Sequence, residues 1–138
     1  MNSCLIVDDS EIIREIISRM VKDLGLEPRE AETAGEAVDF CQENKPDVVL
    51  LDWDLPSMGA LDFLRGAGAL EEDKRPTIIL CATENDPQQF SLANAAGAKF
   101  HLLKPFDQQT LKAELEKAGV LDRDETVTTN VDNVKVIS

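Results

Sequence analysis

The chain has 138 residues, 43% apolar and 30% charged, enough to bury the core of one ordinary globular domain. Lysine and arginine number 14 against 27 acidic residues, a net charge of −13, so the chain repels nucleic acid and anionic membranes and favours cations or basic protein surfaces. Cys4, Cys41 and Cys81 form no C-x-x-C pair and sit in apolar stretches, which argues against a disulfide framework or a zinc site and for buried thiols in a reducing cytoplasm; the sequence shows no membrane-length apolar run and no signal-type N-terminus.

Strand and helix patterns alternate along the chain. Cys4 to Val7 is a short apolar run that ends in Asp8-Asp9. Ser10 then caps a helix whose apolar positions run Ile12, Ile13, Ile16, Ile17, Met20, Val21 and Leu24, with Gly25 as the stop. Leu26 to Ala31 reads as a second strand, placed at a sheet edge by Pro28. Thr33 and Glu36 form a capping box for the next helix, which buries Ala34, Ala37, Val38 and Cys41. The third strand is Asp47 to Leu51, followed by a helix from about Gly59 to Leu70. Thr77 to Ala82 is a fourth strand, and Asp86-Pro87 opens a helix that Gly97 closes. Phe100 to Leu103 is the fifth strand. Asp107 caps a last helix, with Phe106 and Leu111 placed as a hydrophobic staple. Five near-continuous apolar strands joined by helices predict an open, doubly wound α/β fold with a parallel sheet covered on both faces. Residues 1–119 form the domain, and residues 120–138 read as a polar tail, disordered or docking on a partner.

In such a sheet the carboxyl ends of the strands share one edge, where sites form. The first strand delivers Asp8 and Asp9 there, the third Asp52, the fourth Cys81, Ala82 and Thr83, and the fifth Lys104. Each has a plain structural explanation when taken alone: a helix cap, a loop carboxylate, a solvated lysine. Together they converge from distant parts of the chain. Three carboxylates repel one another unless a cation joins them, and a hard divalent ion such as Mg2+ suits oxygen ligands. A cation beside a lysine can stabilise a transferring phosphoryl group, and one carboxylate can be the nucleophile. Asp52, on the central strand between the acidic pair and Lys104, is best placed for that.

The stretches "LIVDDS", "VVLLDWDLPSM" and "FHLLKPFD" resemble, in order and spacing, the signatures of response-regulator receiver domains of two-component signalling, over about residues 3 to 119. The resemblance implies a flavodoxin-like fold with strand order 2-1-3-4-5. It implies that Asp52 is the phosphoacceptor, and that Asp8, Asp9, Asp52 and the backbone carbonyl of Asp54 hold Mg2+. Lys104 would bind the phosphoryl oxygens, Pro105 would follow a cis peptide, and His101 would occupy the place of a rotating aromatic switch. Such a domain is a signalling switch rather than an enzyme, modifying only itself.

Two positions depart from that pattern. A serine or threonine is expected at the end of the fourth strand, whereas Cys81 or Ala82 falls there and Thr83 follows. Either a one-residue shift delivers Thr83 as the phosphoryl-binding switch hydroxyl, the alternative favoured here, or the switch is weakened. In "PSMGAL" the glycine is displaced by one position, which predicts a different loop path. The implied partners are a histidine kinase or histidine phosphotransfer protein and a downstream protein target, in the cytoplasm, with no nucleic acid and no membrane. A relay role and dimerisation on activation both stay open. Two rival readings are a pseudo-receiver, a binding module indifferent to phosphate, and a haloacid-dehalogenase-like phosphatase built on the D-x-D of Asp52 and Asp54. The second leaves Asp8 and Asp9 unexplained.

Overall fold

The computed structural model describes residues 2–122. Five parallel strands, β1 (Ser3–Val7), β2 (Glu27–Ala31), β3 (Val48–Asp52), β4 (Thr77–Ala82) and β5 (Phe100–Leu103), form one sheet in the order β2-β1-β3-β4-β5. The connections are α1 (Glu11–Asp23), α2 (Ala34–Asn44), α3 (Gly59–Gly68) and α4 (Pro87–Ala95), and α5 (Gln108–Lys117) follows β5. This is the expected doubly wound fold.

Alternation along each strand feeds two cores. Leu5, Val7, Val49, Leu51, Ile78 and Leu80 pack with Ala37, Cys41, Phe63, Leu64 and Ala67 of α2 and α3. The intervening residues Cys4, Ile6, Val48, Leu50, Ile79 and Cys81 pack on the other face with Ile17 and Val21 of α1 and Leu111 and Leu115 of α5. Both faces of the sheet are therefore covered, which is why β3 reads as an unbroken apolar run.

The helix starts follow the sequence signals. The Ser10 hydroxyl accepts from the Ile13 amide, Thr33 and Glu36 form a reciprocal capping box, and Asp86 and Asp107 cap α4 and α5. Among the described residues, the strand containing Pro28 lies at the sheet edge and pairs only with β1.

Three local differences from the sequence reading stand out. β3 extends through Asp52, which pairs with Cys81 and so ends the strand from within it. Val120 is still buried, on the α1 and α5 face, so the packed domain continues past residue 119; the expected tail lies, from residue 123 on, outside the described residues. The loop after β3 tightens into a short 3-10 turn, Pro56–Met58, with Ser57 and Met58 both left-handed at φ 58° and 60°. Gly59, displaced by one position, adopts right-handed helical geometry instead. A Cβ on Gly59 would sit 3.0 Å from Leu55 Cβ, so the glycine serves close approach rather than turning. Left-handed backbone costs about 1–2 kcal/mol per residue with a Cβ, strain that the flanking packing of Leu55 and α3 must hold.

Candidate functional site

The strand order reverses between β1 and β3: the chain leaves β1 for β2 on one side and returns to β3 on the other. Asp8 follows β1 and Asp52 ends β3, so the two carboxylates flank this crevice. Both are buried, at 3% and 4% exposure, while Asp9 is exposed. One carboxylate oxygen from each of Asp8, Asp9 and Asp52 lies within 4.8 Å of the others.

Lys104 follows β5, two strands away from β3, roughly 10 Å at the usual strand spacing. Its side chain reaches back across the end of β4, where Cys81 and Ala82 are small. The ammonium donates to Asp52 Oδ1 at 2.9 Å and to Asp8 Oδ2 at 3.1 Å. The Asp54 amide also donates to Asp52 Oδ1, at 3.0 Å, and the Ser10 amide donates to Asp8 Oδ1 at 2.9 Å. Asp52 Oδ2 accepts no hydrogen bond from the described residues. The Lys104–Pro105 peptide is cis.

The electrostatics are those of a site with three carboxylates and one ammonium. Burial raises the Asp52 pKa, the bonds from Lys104 and the Asp54 amide pull it down, and the charge on Asp8 raises it again; the net effect is upward. Burial pulls the Lys104 pKa down, but bonding to Asp52 and the charges of Asp52 and Asp8 outweigh it, so the ammonium is held charged. The donor set, carboxylates alone within 4.8 Å, fits a hard divalent cation that would relieve this excess of negative charge. Cys81 lies in the same register layer as Asp52, but burial pushes its thiol up to about 12, so it stays protonated and inert.

The β3–β4–β5 ladder is regular: Asp52 pairs with Cys81 and Ala82 with Leu103, and the Lys104 amide donates to the Ala82 carbonyl at 2.7 Å. The expected one-residue shift is therefore absent, because a bulge would break these pairings. Ala82 closes the strand. Thr83 lies beyond it, exposed, with its hydroxyl donating to Asp54 Oδ2 at 3.2 Å. His101 is exposed and apart from the carboxylates, its ring stacked on Phe90 of α4 at 4.3 Å between centroids.

One residue at the site escaped the sequence reading. Arg14 of α1 donates through Nη1 to the Asp8 carbonyl at 2.8 Å and through Nε to Glu30 Oε1 at 3.0 Å. The signal was its spacing: Arg14, Ile17 and Val21 share one helical stripe, and the latter two are buried.

Comparison with known proteins agrees with this geometry. Residues 4–116 match the response regulator receiver domain family. Chemotaxis protein CheY-3 of Vibrio cholerae is 33% identical over 114 residues, covering 82% of this chain and 88% of that protein. Chemotaxis protein CheY of Listeria monocytogenes is 37% identical over 120 residues, covering 86% and 99%. The crystal structure of Vibrio cholerae CheY4 superposes with a TM-score of 0.80 at 31% identity, covering 86% of this chain and 98% of that one. The chain belongs to the response-regulator receiver domains of two-component signalling, CheY-like signalling proteins rather than classical enzymes. Among the described residues no helix is long and apolar enough to cross a membrane.

Proposed function

We propose that this protein is a phosphorylation switch that takes a phosphoryl group from a phosphohistidine onto Asp52. The observation that carries the reading is the Lys104 ammonium bridging Asp8 and Asp52, with Asp9 completing a carboxylate cluster at the sheet's switch point. Asp52 Oδ1 is tied down by Lys104 and the Asp54 amide, which leaves Oδ2 as the attacking oxygen. Oδ2 forms a bond to phosphorus as the P–N bond of the donor breaks. The electron pair of that bond stays on the imidazole nitrogen, which takes up a proton. Mg2+ held by Asp8, Asp9, Asp52 and the Asp54 carbonyl would offset the charge spread over the phosphoryl oxygens. Lys104, already within reach of Asp52, would shift its bonds onto the product oxygens.

The donor on this reading is a cytoplasmic histidine kinase or histidine phosphotransfer protein. The new charge is read out through β4, β5 and the surface of α4 and α5 by a downstream protein, or passed on in a relay. Neither the phosphatase nor the phosphate-blind module is favoured: one leaves Asp8 and Asp9 without a role, and the other leaves two buried carboxylates beside a third without a reason. Incubation with acetyl phosphate and Mg2+ should yield one acid-labile acyl phosphate per chain, at Asp52. Labelling that persists undiminished in Asp52→Asn would overturn the assignment.

A further inference from the structure

The Asp9 carboxylate reaches the cluster without help from any side chain: it is exposed and accepts no hydrogen bond from the described residues. Its direction is set by the peptide that joins it to Asp8. That turn is fixed at two points. The Asp8 amide donates to the Ala31 carbonyl of β2 at 3.2 Å, and the Asp8 carbonyl, part of the Asp8–Asp9 peptide itself, accepts from Arg14 Nη1 at 2.8 Å. Arg14 is itself held. Its side chain is only 13% exposed, Nε bonds Glu30 Oε1 at 3.0 Å, and the second Glu30 oxygen accepts from the Ser18 hydroxyl at 3.2 Å.

From this arrangement we infer that Arg14 is a positioning residue of the metal centre, holding the Asp8–Asp9 peptide so that the Asp9 carboxylate faces Asp52 and thereby setting affinity for a divalent cation. Glu30 neutralises the guanidinium, so Arg14 acts through its bond to the carbonyl and not through its charge. A planar donor of fixed direction suits that task; a lysine in its place could reach the carbonyl or Glu30 but would not hold both in one plane. Groups one step removed from metal ligands characteristically govern affinity by about 10–100-fold. The inference rests on the reading that the carboxylates hold Mg2+.

The test is calorimetric titration of the full chain with Mg2+ alone, free of phosphodonor. Arg14→Met, which keeps the apolar stem, should weaken Mg2+ binding by about tenfold or more. Arg14→Lys should lie between it and the wild type, and it serves as the folded variant if Arg14→Met does not fold. In an Asp9→Asn background Arg14→Met should have little further effect, because both changes act through the same ligand. Wild-type Mg2+ affinity in Arg14→Lys and Arg14→Met, even with a lowered metal-free melting temperature, would overturn the inference and leave the metal reading standing. Full additivity with Asp9→Asn would also overturn it. A wild-type chain that takes up no Mg2+ would sink the metal reading as well.

Discussion

The ends of β3 and β4 lie side by side in register, Asp52 against Cys81, yet they are built in opposite ways. The β3 end is dense with chemistry: a buried carboxylate with one oxygen held by two donors, its neighbours two more acids and an ammonium. The β4 end has an inert thiol and then Ala82, at 1% exposure, with no polar side chain at all. The hydroxyl of Thr83, the next residue, is turned to Asp54 instead. On the proposed function, capture of a phosphoryl group and the reading of its arrival would thus be separable: the carboxylates and Lys104 stand at the β3 end, while the β4 end offers no hydroxyl of its own. Small residues at this strand end also leave the path by which Lys104 crosses from β5 to Asp52.

The largest effect belongs to the β3 end. Asp52→Asn should abolish labelling by acetyl phosphate, and it should also stabilise the metal-free protein, by on the order of 1 kcal/mol, because a cluster with excess negative charge loses one carboxylate while Lys104 keeps Asp8. The pH dependence follows from the direction of the Asp52 shift. Its pKa is raised in the fold, chiefly by burial, so the folded protein holds that proton longer than the unfolded chain. The Asp52 contribution to metal-free stability therefore falls as pH rises through the carboxylate range. Melting curves of wild type and Asp52→Asn should diverge as pH rises from that range toward neutrality, and parallel curves would show that burial does not hold the Asp52 pKa above its ordinary value. Saturating the wild type with Mg2+ at a hundredfold over its Kd should return about 2.7 kcal/mol, and most of that gain should be missing in Asp52→Asn.

Lys104→Met comes next. Removing the ammonium leaves Asp8 and Asp52 buried without a counter-charge, at a cost of about 3 kcal/mol in the metal-free protein, read from urea unfolding. Mg2+ should recover most of the loss, since it supplies the missing positive charge. A variant as stable as wild type without metal would mean that the two contacts contribute no net stability. Lys104 is also held charged by the same carboxylates, so its contribution is present below the ordinary lysine pKa and is lost as pH rises through its elevated value.

Ala82→Ser acts on the β4 end directly. It adds a hydroxyl at the position the ladder places last in the strand, with a modest increase in volume. One hydrogen bond to a charged group contributes about 1.5–3 kcal/mol, so beryllofluoride, a phosphoryl mimic, should bind about tenfold more tightly or better in the presence of Mg2+. Unchanged affinity would show that a side chain at this position does not face the acceptor.

The contrast between the two strand ends also marks what could be read in the sequence. Asp8, Asp52 and Lys104 were legible because a buried parallel strand is an apolar run, and a charge at its end must sit on the sheet's carboxyl edge. The register of β4 was not, because Cys81, Ala82 and Thr83 are all acceptable at a strand end and only the pairing across β3 and β5 decides among them. The left-handed Ser57 and Met58 were hidden for a different reason: local preference gives such backbone to glycine, and here Gly59 is taken up by its close approach to Leu55 across the turn. Arg14 was passed over because no single motif marks it; only its place on one helical stripe with the buried Ile17 and Val21 points to it.

Thr83→Ala tests the contrast at its weakest point and should have the smallest effect. The hydroxyl is exposed and, among the described residues, bonds only Asp54 Oδ2, across the loops that follow β3 and β4. An exposed neutral-to-carboxylate bond of this kind contributes about 0.5–1.5 kcal/mol at most, and solvent replaces it readily. Beryllofluoride affinity and the lifetime of the acyl phosphate should therefore stay within about threefold of wild type. A loss of tenfold or more would mean that Thr83 gives up Asp54 and turns to the phosphoryl group on activation, supplying from one residue further on the hydroxyl that Ala82 lacks. The double variant separates these outcomes. If Thr83 serves only Asp54, Ala82→Ser should give the same gain with or without it; if Thr83 reaches the phosphoryl group, the two hydroxyls compete for one set of oxygens and their effects will not add.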